Sequence, residues 1–279
     1  MWQIFCSLAV ILSLPGFAAS SRMPTEKERG KDLVYAIEFG GNYTNGWIKP
    51  KHEEQSRGNL GGAQASFEYR PVNRFYGGGR ASWRQGVTDC STETRSLLYF
   101  DVQEKLGYTL CNRQREYLLS VFSGLGYRYL RQHVRPKEAA EANFNGSFFP
   151  PFLTDSTDVR LEYNEFYIPF GFMADFVLNC FTSAGLHFTW MPQVFPTVNI
   201  KPLGNAFWAL THMYGNFLIE VPITFLLSHN HRWRLTLKPT YEYWQDGRSK
   251  AKTSTGIPLN LLQNTYQFFG VDLDFSYSF

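Results

Sequence analysis

From residue 35 onward, apolar and polar positions alternate with a period of two, stretch after stretch. In "YAIEFGGNYT" the residues Tyr35, Ile37, Phe39 and Tyr43 share one face and Ala36, Glu38, Asn42 and Thr44 the other. "GGAQASFEYR" sets Ala63, Ala65, Phe67 and Tyr69 against Gln64, Ser66, Glu68 and Arg70, and "FYGGGRASWR" sets Phe75, Ala81 and Trp83 against Arg80, Ser82 and Arg84. "LLYFDVQEKLGYTL" places Leu98, Phe100, Val102, Leu106 and Tyr108 opposite Tyr99, Asp101, Gln103 and Lys105, with Glu104 stranded on the apolar face. The pattern recurs in "EYLLSVFSGLGYRYL", in "RLEYNEFYIPFGF", which later turns apolar on both faces, and in "FTSAGLHFTWM", "YGNFLIEVPITFLL", "RWRLTLKPTYEYW" and the terminal "GVDLDFSYSF". Side chains on a strand point alternately to its two faces, so each stretch predicts a strand with one apolar and one polar side. There are about ten of them, each near the roughly 9–11 residues that a tilted membrane strand needs.

The links between these strands alternate in length. Tight links follow Arg70, Leu110, Ala174 and Leu227, while long polar or irregular segments occupy 48–59, 85–95, 131–158, 191–212 and 245–262. An up-and-down meander of this kind has one trim and one ragged end, as outer-membrane barrels do with their short periplasmic turns and long extracellular loops. An even strand count places both termini at the trim end. Pro169, Pro222 and Pro239 fall inside predicted strands; a closed sheet has no edge to receive them, so bulges near the trim rim are expected.

The apolar face decides the solvent. It carries Phe39, Phe67, Trp83, Phe100, Tyr127, Trp233, Tyr241 and Phe275, too much aromatic volume for one small interior. The other face, with Gln64, Ser66, Ser82, Thr236 and charges of both signs, suits a narrow polar lumen. The expected fold is therefore all-β: a closed antiparallel transmembrane barrel of about ten strands, rings toward hydrocarbon and charges toward the axis. Aromatics gathered at strand ends match interfacial girdles.

Composition adds limits. Of 279 residues, 44% are hydrophobic and 17% aromatic, and the net charge is +3. No basic run argues for nucleic acid. Residues 4–17 are almost wholly apolar and are followed by Ala18, Ala19 and Ser20, which reads as a secretory leader, although no Lys or Arg precedes the run. The expected organisation is a signal peptide over 1–20, a periplasmic segment over 21–32 and the barrel over 33–279. No later stretch supplies the roughly 20 consecutive apolar residues of a spanning helix.

The leader, the amphipathic strands, the alternation of short and long links and a terminal Phe preceded by alternating apolar residues together resemble Gram-negative outer-membrane β-barrel proteins across the mature chain. No single family within that class is matched. The resemblance implies that Leu273, Phe275, Tyr277 and Phe279 form the signal read by the barrel-assembly machinery. It also implies location in the bacterial outer membrane, with outer-membrane lipid as the surrounding partner.

The inward set of charges is Glu38, Glu68, Arg70, Arg80, Arg84, Asp101, Lys105, Arg128, Arg160, Glu162, Arg232, Arg234, Lys238, Glu242, Asp272 and Asp274. In a ten-strand lumen such side chains are expected to pair across the axis and fill it; a continuous wet path through a narrow pore is the alternative. A second alternative is suggested by the omptin proteases, ten-strand barrels that activate water with Asp and His at the extracellular mouth. Here His187 lies on a strand, His133 and His212 lie near loops, and Asp155 and Asp158 flank the longest loop, but no spacing pairs them. His229 and His231 share a tight turn, too few ligands for a metal site, and neither metal nor cofactor is expected. Cys6 leaves with the leader. Cys90 then belongs to an outer loop, and Cys111 and Cys180 to the trim rim, on strands that are not neighbours. The long segment 131–158 carries Phe144, Phe148, Phe149 and Phe152, a candidate loop surface for an extracellular ligand. The expected protein is a monomeric outer-membrane barrel with a structural or surface-interaction role, rather than an enzyme.

Overall fold

The computed structural model describes residues 35–51, 54–111, 117–137, 159–201, 207–227, 232–253, 261 and 263–279. Fifteen strands follow one another: β1 (Tyr35–Pro50), β2 (Ser56–Tyr69), β3 (Phe75–Asp89), β4 (Glu93–Cys111), β5 (Tyr117–Pro136), β6 (Val159–Tyr167), β7 (Phe170–Val177), β8 (Thr182–Trp190), β9 (Gln193–Lys201), β10 (Phe207–Leu210), β11 (Phe217–Glu220), β12 (Ile223–Leu226), β13 (Trp233–Asp246), β14 (Ser249–Thr253) and β15 (Asn264–Ser278). Several are halves of one stave. β6 and β7 both pair with β5, β9 lies against β6 as β8 lies against β7, and β11 and β12 both lie between β8 and β13. Counted by stave, the barrel has ten antiparallel strands.

Closure runs through β1 and β15, in register from Ala36 opposite Ser278 to Pro50 opposite Asn264. Phe279 N also donates to Tyr35 O at 3.0 Å, so both chain ends of the barrel lie at one rim. At that rim the β2–β3 link turns at Asn73, whose φ of 54° is a left-handed conformation that Asn tolerates. Tyr108 Oη donates to Asn73 O at 2.8 Å and fixes the turn.

The two faces divide as the alternation predicts. Phe39, Phe67, Phe75, Trp83, Phe100, Leu106, Leu125 and Phe275 are exposed on the outside, while Gln64, Ser82, Asp101, Gln103, Lys105, Glu242 and Asp274 are buried within. Outward Phe75 and Trp83 stand eight residues apart on β3, as Tyr108 and Phe100 do on β4. Eight residues span roughly 27 Å of strand, of the order of the roughly 25 Å apolar band of such barrels. Glu104 is exposed on this band, opposite Gly79 and Leu125.

Several features differ from the sequence expectation. The expected long segments 48–59 and 191–212 are largely strand, in β1, β2, β9 and β10. The segment 85–95 is not a long loop, because Gln85 still pairs with Leu98 and Asp89 with Thr94, and only Cys90, Ser91 and Thr92 lie between β3 and β4. The tight link expected after Ala174 begins after Val177 instead, so Asp175 is a strand residue. The prolines, finally, are not gathered in rim bulges. Pro239 sits within an unbroken β13 ladder opposite Val271, whereas Pro169 and Pro222 fall at the β6/β7 and β11/β12 interruptions. The ladder is bridged across those interruptions by Ile168 N to Pro192 O at 3.1 Å and Gly185 N to Pro222 O at 2.8 Å.

Toward the ragged end the polarity of the wall inverts. Inward positions become Ile48, Leu60, Leu97, Leu130, Leu161, Tyr163, Val198, Ile200, Trp208, Trp244 and Tyr266, all buried in one cluster. Outward positions become Lys49, Arg57, Arg131, His133, Arg160 and Lys201. A wall with hydrocarbon outside needs apolar side chains outward, and a wall with water outside needs the reverse. The strands thus continue past the membrane and finish as a soluble barrel with its own core.

Candidate functional site in the lumen

The midlevel of the lumen is organised around Glu242 of β13. It accepts from Arg84 Nη2 of β3 at 2.8 Å, from Tyr99 Oη of β4 at 2.9 Å and from Arg128 Nη2 of β5 at 2.5 Å. Arg128 also approaches Asp101 at 3.4 Å and lies over the Trp244 ring at 3.5 Å and the Tyr99 ring at 4.8 Å. Its side chain is 2% exposed and that of Glu242 3%. Asp101 takes a further bond from Tyr167 Oη at 2.9 Å, and the Tyr167 ring meets Trp244 edge-on at 5.6 Å. These residues come from strands on opposite walls, so their side chains cross the axis rather than line it.

Above this level the apolar core is threaded by tyrosine hydroxyls. Tyr266 Oη accepts from Gln132 Nε2 and donates to Asp246, both at 2.5 Å, and Tyr163 Oη accepts from Asn264 Nδ2 at 3.1 Å. Gln193 Nε2 donates to Glu165 at 2.8 Å. Glu165 Oε2 and Asn264 Oδ1 are buried there with no hydrogen-bond partner among the described residues.

Below it lies a cavity of about 420 Å³ at the trim end, lined by Glu38, Glu68, Arg70, Arg80, Lys105, Asp175, His187, Glu220, Arg234 and Lys238 among others. Arg70 is paired with Asp175, whose other oxygen contacts His187 Nε2 at 2.9 Å. Arg80 pairs with Glu220 at 2.8 Å across the lumen, and Asp272 lies 3.7 Å from its other nitrogen. Lys238 pairs with Asp274 at 3.0 Å, and Ser66 Oγ donates to Glu38 at 3.0 Å. Lys105 lies over the Phe122 ring at 4.6 Å, and Arg234 Nε is buried with no hydrogen-bond partner among the described residues. The cavity is thus walled by charges of both signs, most of them paired with one another.

Three of the expected lumen charges are elsewhere. Arg160 and Glu162 point outward on β6, because Val159, Leu161, Tyr163, Glu165 and Tyr167 take the inward positions. They lie in the zone where water bathes the outer wall, so charge no longer marks the inner face. Arg232 is exposed at the trim rim and reaches Tyr277 Oη at 3.4 Å. Asp175, His187, Glu165 and Glu220 also face the lumen, beyond the expected set of charges. For Glu165 the signal was parity with Tyr163 and Tyr167; for Glu220 it was parity on the polar face with Asn216 and Thr224.

Leu273, Phe275 and Phe279 are exposed on the outer face of the terminal strand and its end, with Tyr277 half-buried between rings of Trp233 and Phe279. Phe144, Phe148, Phe149, Phe152, Asp155, Asp158, His229 and His231 lie outside the described residues, as do the expected leader and the periplasmic segment. His212 contacts Val194 O at 2.6 Å toward the ragged end, away from the His187–Asp175 pair at the trim end. Cys90 and Cys180 are free thiols at opposite ends. Among the described residues no group of three or more His, Cys, Asp and Glu is placed to hold a metal.

No family model and no curated protein matches the sequence. Among solved structures, the chain is similar to the translocator domain of autotransporter NalP from Neisseria meningitidis, at 9% identity over 99% of this chain and 98% of that one, with a TM-score of 0.45. It is similar to the outer membrane protease OmpT from Escherichia coli, at 11% identity over 88% and 96%, TM-score 0.49, and to Ail, the attachment invasion locus protein of Yersinia pestis, at 10% identity over 86% and 97%, TM-score 0.34. At such identities and scores no activity transfers. Closed pairing, the outward apolar belt and the trim and ragged ends make this chain a closed ten-strand antiparallel β-barrel.

Proposed function

We propose that the protein is an integral outer-membrane barrel whose lumen is closed to solute flow and whose role is structural or surface interaction through its extracellular loops. The supporting observation is the crossing of the axis by Arg128, clamped among Glu242, Asp101, Tyr99 and Trp244, beneath a cluster of fully buried rings. Ion conduction needs a continuous hydrated path, and side chains packed ring on ring across the axis interrupt one. The outward terminal strand with Leu273, Phe275, Tyr277 and Phe279 supports its use as the assembly signal, and removal of Phe279 is expected to lower the yield of folded barrel in the outer membrane.

Planar-bilayer recording tests the closure. The wild-type barrel is expected to give no steady openings, and replacing Trp208 and Trp244 together with Ala is expected to produce flickering conductance through the gap. Reproducible long-lived openings of the wild type would make it a narrow diffusion pore instead.

A further inference from the structure

Where the outer wall changes from aromatic to basic, a groove of about 460 Å³ opens across β3 to β6 on the outside of the barrel. Val87 and Leu98 form its apolar floor on β3 and β4, and Arg131, His133 and Arg160 its basic edge on β5 and β6. Lys201 stands beside Arg160 in the ladder, as Arg160 stands beside His133. Glu162 is the carboxylate within this group, 3.9 Å from Arg160 and 3.5 Å from Lys201, at the outer limit of ion-pair contact. The side chains of Arg160 and Lys201 remain 42% and 50% exposed, and Arg131, opposite Glu162 in register, closes no ion pair with it. Among the described residues, three cations, Arg131, Arg160 and Lys201, thus stand around one carboxylate. Directly below, the outward positions are Tyr129, Tyr127, Phe100 and Trp83, on the lipid-facing belt.

A free anion would use only the basic edge, and a neutral lipid only the floor. A ligand that uses both carries phosphate at one end and acyl chains at the other. Guanidinium groups favour phosphate through paired hydrogen bonds, and aromatic belts mark the headgroup level. We propose that this groove docks a phosphate-bearing anionic amphiphile of the outer leaflet, with its phosphate on Arg131 and Arg160 and its chains over Val87, Leu98 and the rings below. The proposal rests on the outer-membrane assignment but not on closure of the lumen.

Native mass spectrometry of the purified full-length barrel in neutral detergent provides the test, with a diphosphorylated glucosamine lipid as probe and its phosphate-free counterpart, bearing the same acyl chains, as control. The phosphorylated lipid is expected to stay bound and the phosphate-free one to be lost. Arg131→Gln with Arg160→Gln is expected to weaken retention by about tenfold or more, Arg248→Gln, exposed between β13 and β14, to leave it unchanged, and millimolar inorganic phosphate to displace nothing. Equal retention by the double variant, equal binding of the phosphate-free lipid, or displacement by inorganic phosphate overturns the proposal. Heat-modifiable gel migration confirms that each variant is a closed barrel; if the double variant does not fold, Arg131→Gln and Lys201→Gln singly must each show partial loss. Failure of the wild type to insert into neutral phosphatidylcholine vesicles would instead refute the membrane assignment itself.

Discussion

Glu242→Gln is the most informative single substitution in the lumen. Glu242 Oε1 accepts from Arg128 and Tyr99, and Oε2 from Arg84, so no donor can face an amide nitrogen at this position without a clash. Two buried guanidinium groups lose their shared carboxylate. Arg128 keeps Asp101 at 3.4 Å, and Arg84 keeps the Tyr99 ring at 4.4 Å. Breaking a buried pair costs about 3–5 kcal/mol; with these residual contacts the expected loss is about 3 kcal/mol. Urea titration of the barrel in phosphatidylcholine vesicles, followed by tryptophan fluorescence and gel migration, measures it as a shift in midpoint at constant slope. Because Arg84 and Glu242 share one interaction, Glu242→Gln with Arg84→Met is expected to cost less than the two single losses summed, by about 1–3 kcal/mol. A loss for Glu242→Gln below about 1 kcal/mol, or strict additivity of the pair, would show that water reaches the hub and screens it, and would refute the claim of a desolvated crossing.

Three further outcomes follow from the wall. A Cβ at Gly62 would lie 1.8 Å from Trp83 O, whereas one at Gly61 meets nothing within 4 Å; Gly62→Ala is therefore expected to reduce folded yield sharply and Gly61→Ala to leave urea stability unchanged, and equal effects would contradict the register. Glu104 faces hydrocarbon, so Glu104→Leu is expected to raise stability by about 1–2 kcal/mol in the same urea assay, and a loss would mean that the carboxylate has a partner in the membrane. A membrane-impermeant maleimide applied to intact cells is expected to label Cys90, at the extracellular end, and to spare Cys180; labelling of Cys180 alone would invert the topology.

Much of the barrel was legible because alternation is a local property. Tyr35, Ile37 and Phe39 had to share a face whatever lay around them, and so did Asp272, Asp274 and Ser276. The lumen was only partly legible. Arg80, Arg84, Asp101, Lys105, Arg128, Lys238 and Glu242 could be placed on one face, but that Arg128 meets Glu242 depends on the stagger of ten staves, which no segment carries alone. Arg160 and Glu162 were misplaced because a charge marks the inner face only where lipid lies outside. In the zone of β6 and β9 water lies outside, and there Leu161, Val198 and Ile200 take the interior.

The sequence by itself determined the strand periodicity, the parity of each residue within its strand, and an apolar face too aromatic to fit inside a small barrel; all three are set by bond geometry and side-chain volume over a few residues. Only the tertiary structure decided at what height the wall passes from lipid to water, which charges meet across the axis and how the prolines are absorbed. Those depend on closure and register, which bring into contact residues more than a hundred positions apart and set the medium on each side of the wall.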